Sequence, residues 1–305
     1  MHGRYLNYNL VLKGEFSERI QKISINAGFT CPNRDGTKGF GGCTYCNNQT
    51  FIPKYCKPSN SVSKQIEEGI GFFRPKYRSQ QYFAYFQSYT NTYASLEELK
   101  TLYKEALAYP QVIGLVIGTR PDCVSDDLLD FLAELSQQYY VMIEYGVEST
   151  CDETLELMNR GHNYACSVEA IEKTAERGIR VGAHLILGLP RESRETILSH
   201  ADKISKLPLT ALKLHQLQLI RGTKMAEQYE VHPEDFHLYK VDEYIDLAID
   251  FIEKLNPQIA IERFVSQSPA DLLLAPDWKV KNFEFTEKIK KRLLERDTWQ
   301  GKCYE

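Results

Sequence analysis

Three cysteines in a short glycine-rich stretch are the residues of this sequence whose types and spacing most plainly suggest chemistry. Cys31, Cys43 and Cys46 frame the segment CPNRDGTKGFGGCTYC, with eleven residues between the first two thiols and two between the last two. A loop of this composition can fold back and bring the three thiols together. Converging thiolates are typical ligands of protein-bound metals. The stretch therefore predicts a metal centre.

The cysteine spacing alone leaves the kind of centre open. A disulfide framework is disfavoured, because the chain has 8 Cys in 305 residues, no recognisable signal peptide, and its other cysteines occur singly. A structural zinc site would need a fourth ligand, which Cys56 could supply. An iron–sulfur cluster held by only three thiolates would instead leave one iron open for another molecule. Zinc and iron–sulfur interpretations both stand at this point.

Composition sets limits on the class of protein. A hydrophobic fraction of 43% in 305 residues is enough for a substantial core, in one α/β barrel or in two smaller domains. The net charge of −4 and the pI near 6.0 argue against nucleic-acid binding driven by overall charge, so a polyanion would have to meet a local basic patch. No apolar run of about 18 residues is present. We therefore expect a cytoplasmic protein without a membrane partner.

The elements that must position the thiols follow an alternating pattern. Apolar runs with strand character alternate with amphipathic helical segments, at intervals near 30 residues, which is typical of a parallel barrel or a doubly wound sheet. The predicted strands cover 21–26, 82–86, 112–117, 140–147, 181–187 and 211–217. The predicted helices between them cover 61–73, 95–108, 125–138, 167–177 and 192–206.

The regular alternation of predicted strands and helices ends at about residue 221. A long helix over 235–255, a strand over 259–265 and a terminal helix over 285–296 are predicted there. We interpret residues 1–221 as one core domain and residues 222–305 as an extension packed on it. The terminal helix is basic, and it is either a solvated face or a strip that binds phosphate. Its basic residues are Lys288, Lys290, Lys291, Arg292 and Arg296.

Polar residues gather where the predicted strands end. The segments that follow successive strands carry hydroxyl, amide and charged groups. These segments are the cysteine loop, 87–93, 118–122, 146–150 with 159–162, and 188–193. Because βα folds build their sites at the carboxyl ends of the strands, these segments predict one rim that binds a small polar molecule.

At this point the sequence resembles the radical S-adenosylmethionine (SAM) enzymes. It is similar to the branch with oxygen-independent coproporphyrinogen dehydrogenase and the Elongator catalytic subunit, and over nearly its whole length to the small YtqA/YhcC group. The usual signature is C-x3-C-x2-C with an aromatic residue before the last cysteine, where this chain has Tyr45. The first spacing is stretched to eleven, as in the YtqA/YhcC group. The resemblance implies a partial (βα)6 TIM-like barrel of the α/β class and a [4Fe-4S] cluster on Cys31, Cys43 and Cys46.

The resemblance also implies a set of SAM contacts. Relatives commonly place a Gly-Gly pattern where this chain has Gln87-Ser88-Tyr89-Thr90. By resemblance Glu148 points toward SAM and Arg160, twelve positions later, meets its carboxylate; the residue-based alternative is a structural ion pair. The expected SAM-binding residues are Thr90, Asn91, Thr119, Glu148, Arg160 and His184. Position alone adds candidate substrate contacts at Tyr89, Tyr93, Arg120, His215 and Gln218.

The function that the resemblance implies is radical chemistry. An electron from a donor such as flavodoxin or ferredoxin would drive reductive cleavage of SAM to methionine and a 5′-deoxyadenosyl radical, which takes hydrogen from a substrate carbon. Similarity to the YtqA type implies a tRNA substrate, with conversion of a carboxymethylaminomethyl group on the wobble uridine to aminomethyl. The alternatives are a small-molecule reaction such as decarboxylation of a porphyrinogen, and a non-enzymatic zinc-binding module.

Overall fold

The computed structural model describes residues 3–50, 52–76 and 80–304. Its strands form one large sheet and one small antiparallel pair. The strands of the described chain are β1 (Arg19–Ile25), β2 (Gln80–Phe86), β3 (Val112–Thr119), β4 (Tyr140–Glu148), β5 (Arg180–Leu187), β6 (Ala211–Gln216), β7 (Leu219–Ile220), β8 (Ala260–Arg263) and β9 (Leu273–Ala275). The large sheet has the order β1-β2-β3-β4-β5-β6-β8, all neighbours parallel, and β7 pairs with β9.

Helices connect successive strands of the large sheet. Several begin where a serine side chain accepts a hydrogen bond from the first turn, as Ser61 does from the amide of Lys64 at 3.1 Å. Such caps satisfy amide groups that have no partner inside the helix. The α-helices of the described chain are α1 (Tyr8–Glu15), α2 (Val62–Phe73), α3 (Leu96–Leu107), α4 (Asp126–Ser136), α5 (Asp152–Leu157), α6 (Tyr164–Glu176), α7 (Arg194–Ile204), α8 (Lys224–Val231), α9 (Val241–Lys254) and α10 (Asn282–Glu295). None of them is both long and apolar enough to cross a membrane.

The parallel sheet curls into a half-barrel, so the predicted α/β partial barrel is confirmed. Strands such as β3 and β4 are buried along almost their full length, because helices cover one face and the barrel interior covers the other. The apolar side chains between the sheet and its helices form one continuous core that also includes α9 and α10. This core holds the carboxyl ends of the strands rigidly at one rim.

The sheet has seven strands where six were predicted in the core. The added strand, β8, comes from beyond residue 221, and its residues Ala260 to Arg263 pair with β6 in parallel. The main-chain hydrogen bonds thus continue from the predicted core into the predicted extension. The division into residues 1–221 and 222–305 stays a prediction, with the qualification that the extension supplies a wall of the barrel.

The long helix predicted over 235–255 is wrong in its first turns. Helix α8 ends before Pro233, and Pro233–Asp235 forms a single 3-10 turn. Helix α9 then begins at Val241, where the Glu243 carboxylate accepts a hydrogen bond from the backbone amide of Lys240 at 2.9 Å. Proline lacks an amide hydrogen and restricts the backbone before it, so the chain restarts its helix at this cap.

The outer edge of β8 is covered by residues near the two ends of the described chain. The backbone amide of Ile261 donates to the carbonyl oxygen of Leu6 at 2.8 Å, and Asn7 forms a parallel bridge with the same residue. The Gln300 side-chain amide donates to the carbonyl oxygen of Ile259 at 2.8 Å. These contacts satisfy backbone groups on the last strand of the sheet.

Candidate active site

A cavity of about 200 Å³ opens at the carboxyl ends of the strands. The cysteine loop forms one wall, and the ends of β2 to β6 and β8 form the others. The structure brings most of the predicted site residues to its lining, as the polar strand ends indicated. Those lining it are Cys31, Cys43, Cys46, Tyr89, Thr90, Thr119, Arg120, Glu148, Arg160, His184, His215 and Gln218.

Two predicted residues do not line this cavity. The side chain of Asn91 is fully buried and donates to the carbonyl oxygen of Gly118 at 2.7 Å, so it fixes the loop after β2 to the end of β3. The hydroxyl of Tyr93 lies 2.8 Å from that of Thr37, on the outer side of the cysteine loop. Both residues follow β2 at the rim of the sheet, but neither of them lines the cavity.

The three thiols of the cysteine loop lie among cationic and amide groups. Cys43 Sγ lies 3.6 Å from Arg160 Nη1, Cys31 Sγ lies 3.9 Å from Arg120 Nη1, and Cys46 Sγ lies 3.4 Å from Asn48 Nδ2. Burial and the neighbouring Cys43 raise the pKa of the Cys46 thiol to about 11. Thiolates in one cavity would need a cation to balance their charge, and soft thiolate donors suit iron or zinc.

These thiols fit an iron–sulfur cluster by donor type and by their shared cavity. Within the described ranges, no three His, Cys, Asp or Glu side chains stand close enough to hold a metal ion as they are. The cysteine loop is irregular between Cys31 and Cys46 apart from the bridge of Asp35 with Phe40. Cys31, Cys43 and Cys46 would be the protein ligands of such a cluster.

Cys56 lies outside the cavity, which removes the fourth ligand that the zinc interpretation needed. Its thiol is buried beneath α2, where it donates to Gln65 Oε1 at 3.0 Å and to the carbonyl oxygen of Ser24 at 3.4 Å. Burial raises the pKa of this thiol to about 12. A neutral, hydrogen-bonded thiol of this kind is a packing residue.

The contacts of Arg160 match a binding role better than a structural ion pair. Its Nη2 lies 3.9 Å from Glu148 Oε1, which is too long for a hydrogen bond, and donates to the carbonyl oxygen of Gly146. Its Nε is buried and has no partner in the described part of the chain. A planar guanidinium with an unused donor suits the carboxylate of a ligand such as SAM.

Gly146 keeps Glu148 and Arg160 in place, and its replacement is a direct test of this pair. A Cβ atom at residue 146 would lie 2.5 Å from Glu148 Oε1 and 2.8 Å from Arg160 Nη2, so both side chains would have to move. We expect Gly146→Ala to weaken SAM binding by about tenfold or more, the loss expected when one charge-assisted hydrogen bond is misplaced. Equilibrium dialysis with labelled SAM measures this. Gly71→Ala, at a helical position with open space around it, is the control.

A set of buried charges in the barrel interior was missed by the sequence analysis. Glu144 on β4 is 1% exposed and accepts from Lys213 on β6 at 2.5 Å, from Lys22 on β1 at 2.8 Å and from His184 at 3.1 Å. Burial opposes the charge of Glu144, but Lys213 and Lys22 outweigh it and hold the pKa of this carboxyl well below its usual range. The available signal was a charged residue with apolar neighbours on both sides in β4 and β6, Glu144 and Lys213 respectively.

Two histidines complete the inner wall of the cavity. The rings of His184 and His215 stack with centroids 5.4 Å apart. Burial is the main cause that lowers the pKa of both, followed by Lys213 for His184 and by His184 itself for His215. Both imidazoles are therefore neutral near pH 7.

The fold and the site together define an enzyme of the partial-barrel type, with a thiol-bearing cofactor loop at the rim of a parallel sheet. The chain belongs to the radical SAM superfamily: the family profile of that name matches residues 27–204, and the profile of the Radical_SAM C-terminal domain matches residues 209–295. Members of this superfamily use a [4Fe-4S] cluster and SAM and need an electron donor. The expected class of enzyme and its cofactors are thereby confirmed.

Two relatives with about one third identical residues cover most of this chain. It is 35% identical over 302 residues to YtqA of Bacillus subtilis (99% of this chain, 93% of YtqA) and 34% identical over 268 residues to YhcC of Escherichia coli (88% and 85%). A tRNA uridine(34) acetyltransferase of Methanocaldococcus infernus is 26% identical over 184 residues (59% and 33%). The structure of the Elp3 protein of the same archaeon has a TM-score of 0.67 at 17% identity, over 92% of this chain and 64% of that one.

Proposed function

We propose that this chain is a radical SAM enzyme that modifies the wobble uridine of tRNA, converting a 5-carboxymethylaminomethyl group to 5-aminomethyl. SAM would serve as the two-electron oxidant and give 5′-deoxyadenosine and methionine, and after addition of water the two carboxymethyl carbons would leave as glyoxylate. The observation that carries the proposal is its similarity to a tRNA uridine(34) acetyltransferase, at 26% identity over 184 residues, or 59% of this chain. It supports a shared kind of substrate, a modified uridine at that position.

The cavity residues divide into those that would hold the cofactors and those that would hold the substrate. Cys31, Cys43 and Cys46 would bind the cluster, and Arg160 with Glu148 would bind the carboxylate and ribose of SAM. The bound pair supplies a 5′-deoxyadenosyl radical after one-electron reduction, by a donor such as flavodoxin or ferredoxin. The chain's own part is to seat the target carbon beside SAM and to exclude water from the barrel interior.

Unpaired cations beside the cavity support a polyanionic substrate. Arg34 of the cysteine loop lines the cavity and lies over the ring of Tyr89, at 5.7 Å from its centroid. Arg34, Arg221 and Lys224 are exposed and form no ion pair within the described ranges. Phe40, on the same loop, is 77% exposed. Cations next to an exposed aromatic ring suit a single-stranded anticodon loop, where phosphates and unstacked bases are both available.

The basic terminal helix α10 is a weaker candidate for a phosphate-binding strip than the sequence suggested. Arg292 pairs with Asp246 at 2.5 Å and Arg296 with Asp250 at 2.6 Å, both on α9. Lys290 and Lys291 pair with acidic residues of α10 itself. Most of the positive charge of this helix is therefore already balanced, and tRNA binding should depend more on the cations beside the cavity.

The proposal is tested by the nucleosides of tRNA from a strain that lacks this gene. We expect 5-carboxymethylaminomethyluridine to accumulate at the wobble position and 5-aminomethyluridine to disappear, as measured by mass spectrometry of digested tRNA. A copy of the wild-type gene should restore the product, and a Cys43→Ala copy should not. Unchanged wobble uridines would reject the hypothesis of a tRNA substrate and would favour a small-molecule substrate such as a porphyrinogen.

A further inference from the structure

The inner wall of the cavity holds a guanidinium that has no ion-pair partner among the described residues. Arg263 on β8 lines the cavity and is half-buried. It forms no hydrogen bond through its side chain and no ion pair among the residues that the structure describes. An arginine keeps its charge at any ordinary pH, so a guanidinium in this position calls for an anionic ligand.

Arg263 helps to lower the pKa of its neighbour Glu262, but the nearby carboxylates form their ion pairs with other cations. Glu144 and Glu262 are the carboxylates of the buried network, and both are already taken: Glu144 accepts from Lys22 and Lys213, and Glu262 accepts from Lys22 at 2.8 Å and lies 3.3 Å from Lys213. Two carboxylates thus face two lysines, and Arg263 is the cation in excess. The pKa of Lys213 is lowered to about 8, mainly by burial and then by the positive charges of Lys22 and Arg263.

A second polar group without a partner lies next to this cation. Strand β8 pairs with β6 so that Arg263 is beside Lys213, and His215 lies two residues further on the same face of β6. The Nε2 atom of His215 is buried and has no hydrogen-bond partner within the described chain. Because the imidazole is neutral, it can donate one hydrogen bond to an anion when Nε2 carries the proton. Two adjacent strands therefore present two unused donors to one cavity.

We propose that Arg263 and His215 form a subsite for the carboxylate of the substrate, on the side of the cavity away from the cysteine loop. The proposal rests on the proposed function, in which the substrate carries a carboxymethyl group and the product does not. The substrate side chain then ends in an anion that the subsite attracts. The product ends in an ammonium group that Arg263 and Lys213 repel, so the same charges that select the substrate favour release of the product.

The test compares binding of two free nucleosides to the cluster-loaded, SAM-bound protein by anaerobic calorimetry. Wild-type protein should bind 5-carboxymethylaminomethyluridine about 10–100-fold more tightly than 5-aminomethyluridine, the range expected for a charged hydrogen-bonded pair. Arg263→Gln should bind both alike, and Arg263→Lys should keep part of the preference. His215→Gln should lose a smaller part. Arg180→Gln, at the opposite end of the barrel in an exposed ion pair with Glu15, should keep the full preference.

Further measurements separate failure of the subsite from failure of the protein or of the proposed function. The circular dichroism spectrum and the iron content of reconstituted Arg263→Gln should match those of the wild type, which shows an intact fold and an intact cluster site. Equal affinity of the wild type for both nucleosides, or an unchanged preference in Arg263→Gln, would overturn the subsite. Conversion of tRNA is assayed apart: a wild-type enzyme that keeps the nucleoside preference but converts no tRNA supports the subsite and contradicts the proposed reaction.

Discussion

Replacement of Cys43 by alanine is expected to abolish reductive cleavage of SAM. Cys43 is the buried thiol of the cysteine loop and lies against the guanidinium of Arg160 in the cavity. Two remaining thiols cannot retain a cluster that needs at least three protein ligands. Anaerobic reconstitution should give about four irons per wild-type chain and far fewer in the variant. Release of 5′-deoxyadenosine on reduction should fall below detection.

Two other cysteines provide matched controls for this experiment. Cys56→Ala removes a buried thiol that bonds to Gln65, and Cys303→Ala removes an exposed one near the end of the chain. Both variants should keep the brown cluster and cleave SAM at the wild-type rate. Loss of iron in Cys303→Ala with full iron in Cys43→Ala would mean that the wrong thiols have been assigned. A wild-type protein that binds zinc and remains colourless would contradict the enzyme assignment itself.

Replacement of Glu144 by glutamine is expected to be the most destabilising single change in the barrel interior. It removes the charge that Lys22 and Lys213 share and leaves one carboxylate, Glu262, for two buried ammonium groups. Breaking a buried ion pair on one side costs about 3–5 kcal/mol of unfolding free energy. Urea unfolding followed by circular dichroism measures the loss. Glu230→Gln, at an exposed residue without an ion pair in the described chain, should change stability by less than about 0.5 kcal/mol.

A second substitution and a pH series distinguish the charge effect from a packing effect. Lys213→Met should recover part of the stability when combined with Glu144→Gln, because Lys22 and Glu262 then remain as a balanced pair. The folded-state pKa of Glu144 is depressed, so its contribution is present above the unfolded value of about 4.3 and is lost as pH falls below it. The difference between wild type and Glu144→Gln should therefore shrink in acid. A constant difference would indicate packing alone.

The parts of the fold that followed from the sequence are those with a strong local pattern. Apolar runs such as that of β3 predicted the strands to within one or two residues at each end. Because parallel strands end at one edge, the polar segments after them converged on one cavity. Loops lack the regular apolar periodicity of strands and helices. The direction of the Asn91 side chain therefore could not be predicted from the sequence.

The features of the fold that the sequence did not predict depend on contacts between residues far apart in the chain. The place of β8 beside β6 joins residues about 50 positions apart, and no local pattern specifies that pairing. Glu144 and Lys213 lie in strands where apolar residues dominate the sequence pattern, and Arg263 ends a strand of only four residues. The ion-pair partners of Glu144 and Lys213 lie on other strands. The sequence of one strand alone does not predict which partner a charged residue has. The excess cation on the wall of the cavity became visible only in three dimensions.

The covering of β8 by residues near both ends of the chain has a consequence for solubility. A half-barrel has two terminal strands, and an exposed terminal strand is a template for pairing with another polypeptide. Leu6 and Gln300 occupy main-chain groups of the segment around β8 that a neighbouring chain could otherwise engage. Variants that loosen either contact should therefore promote aggregation before they affect catalysis, and tags or fusions at either end should be separated from residues 6 and 300 by flexible linkers.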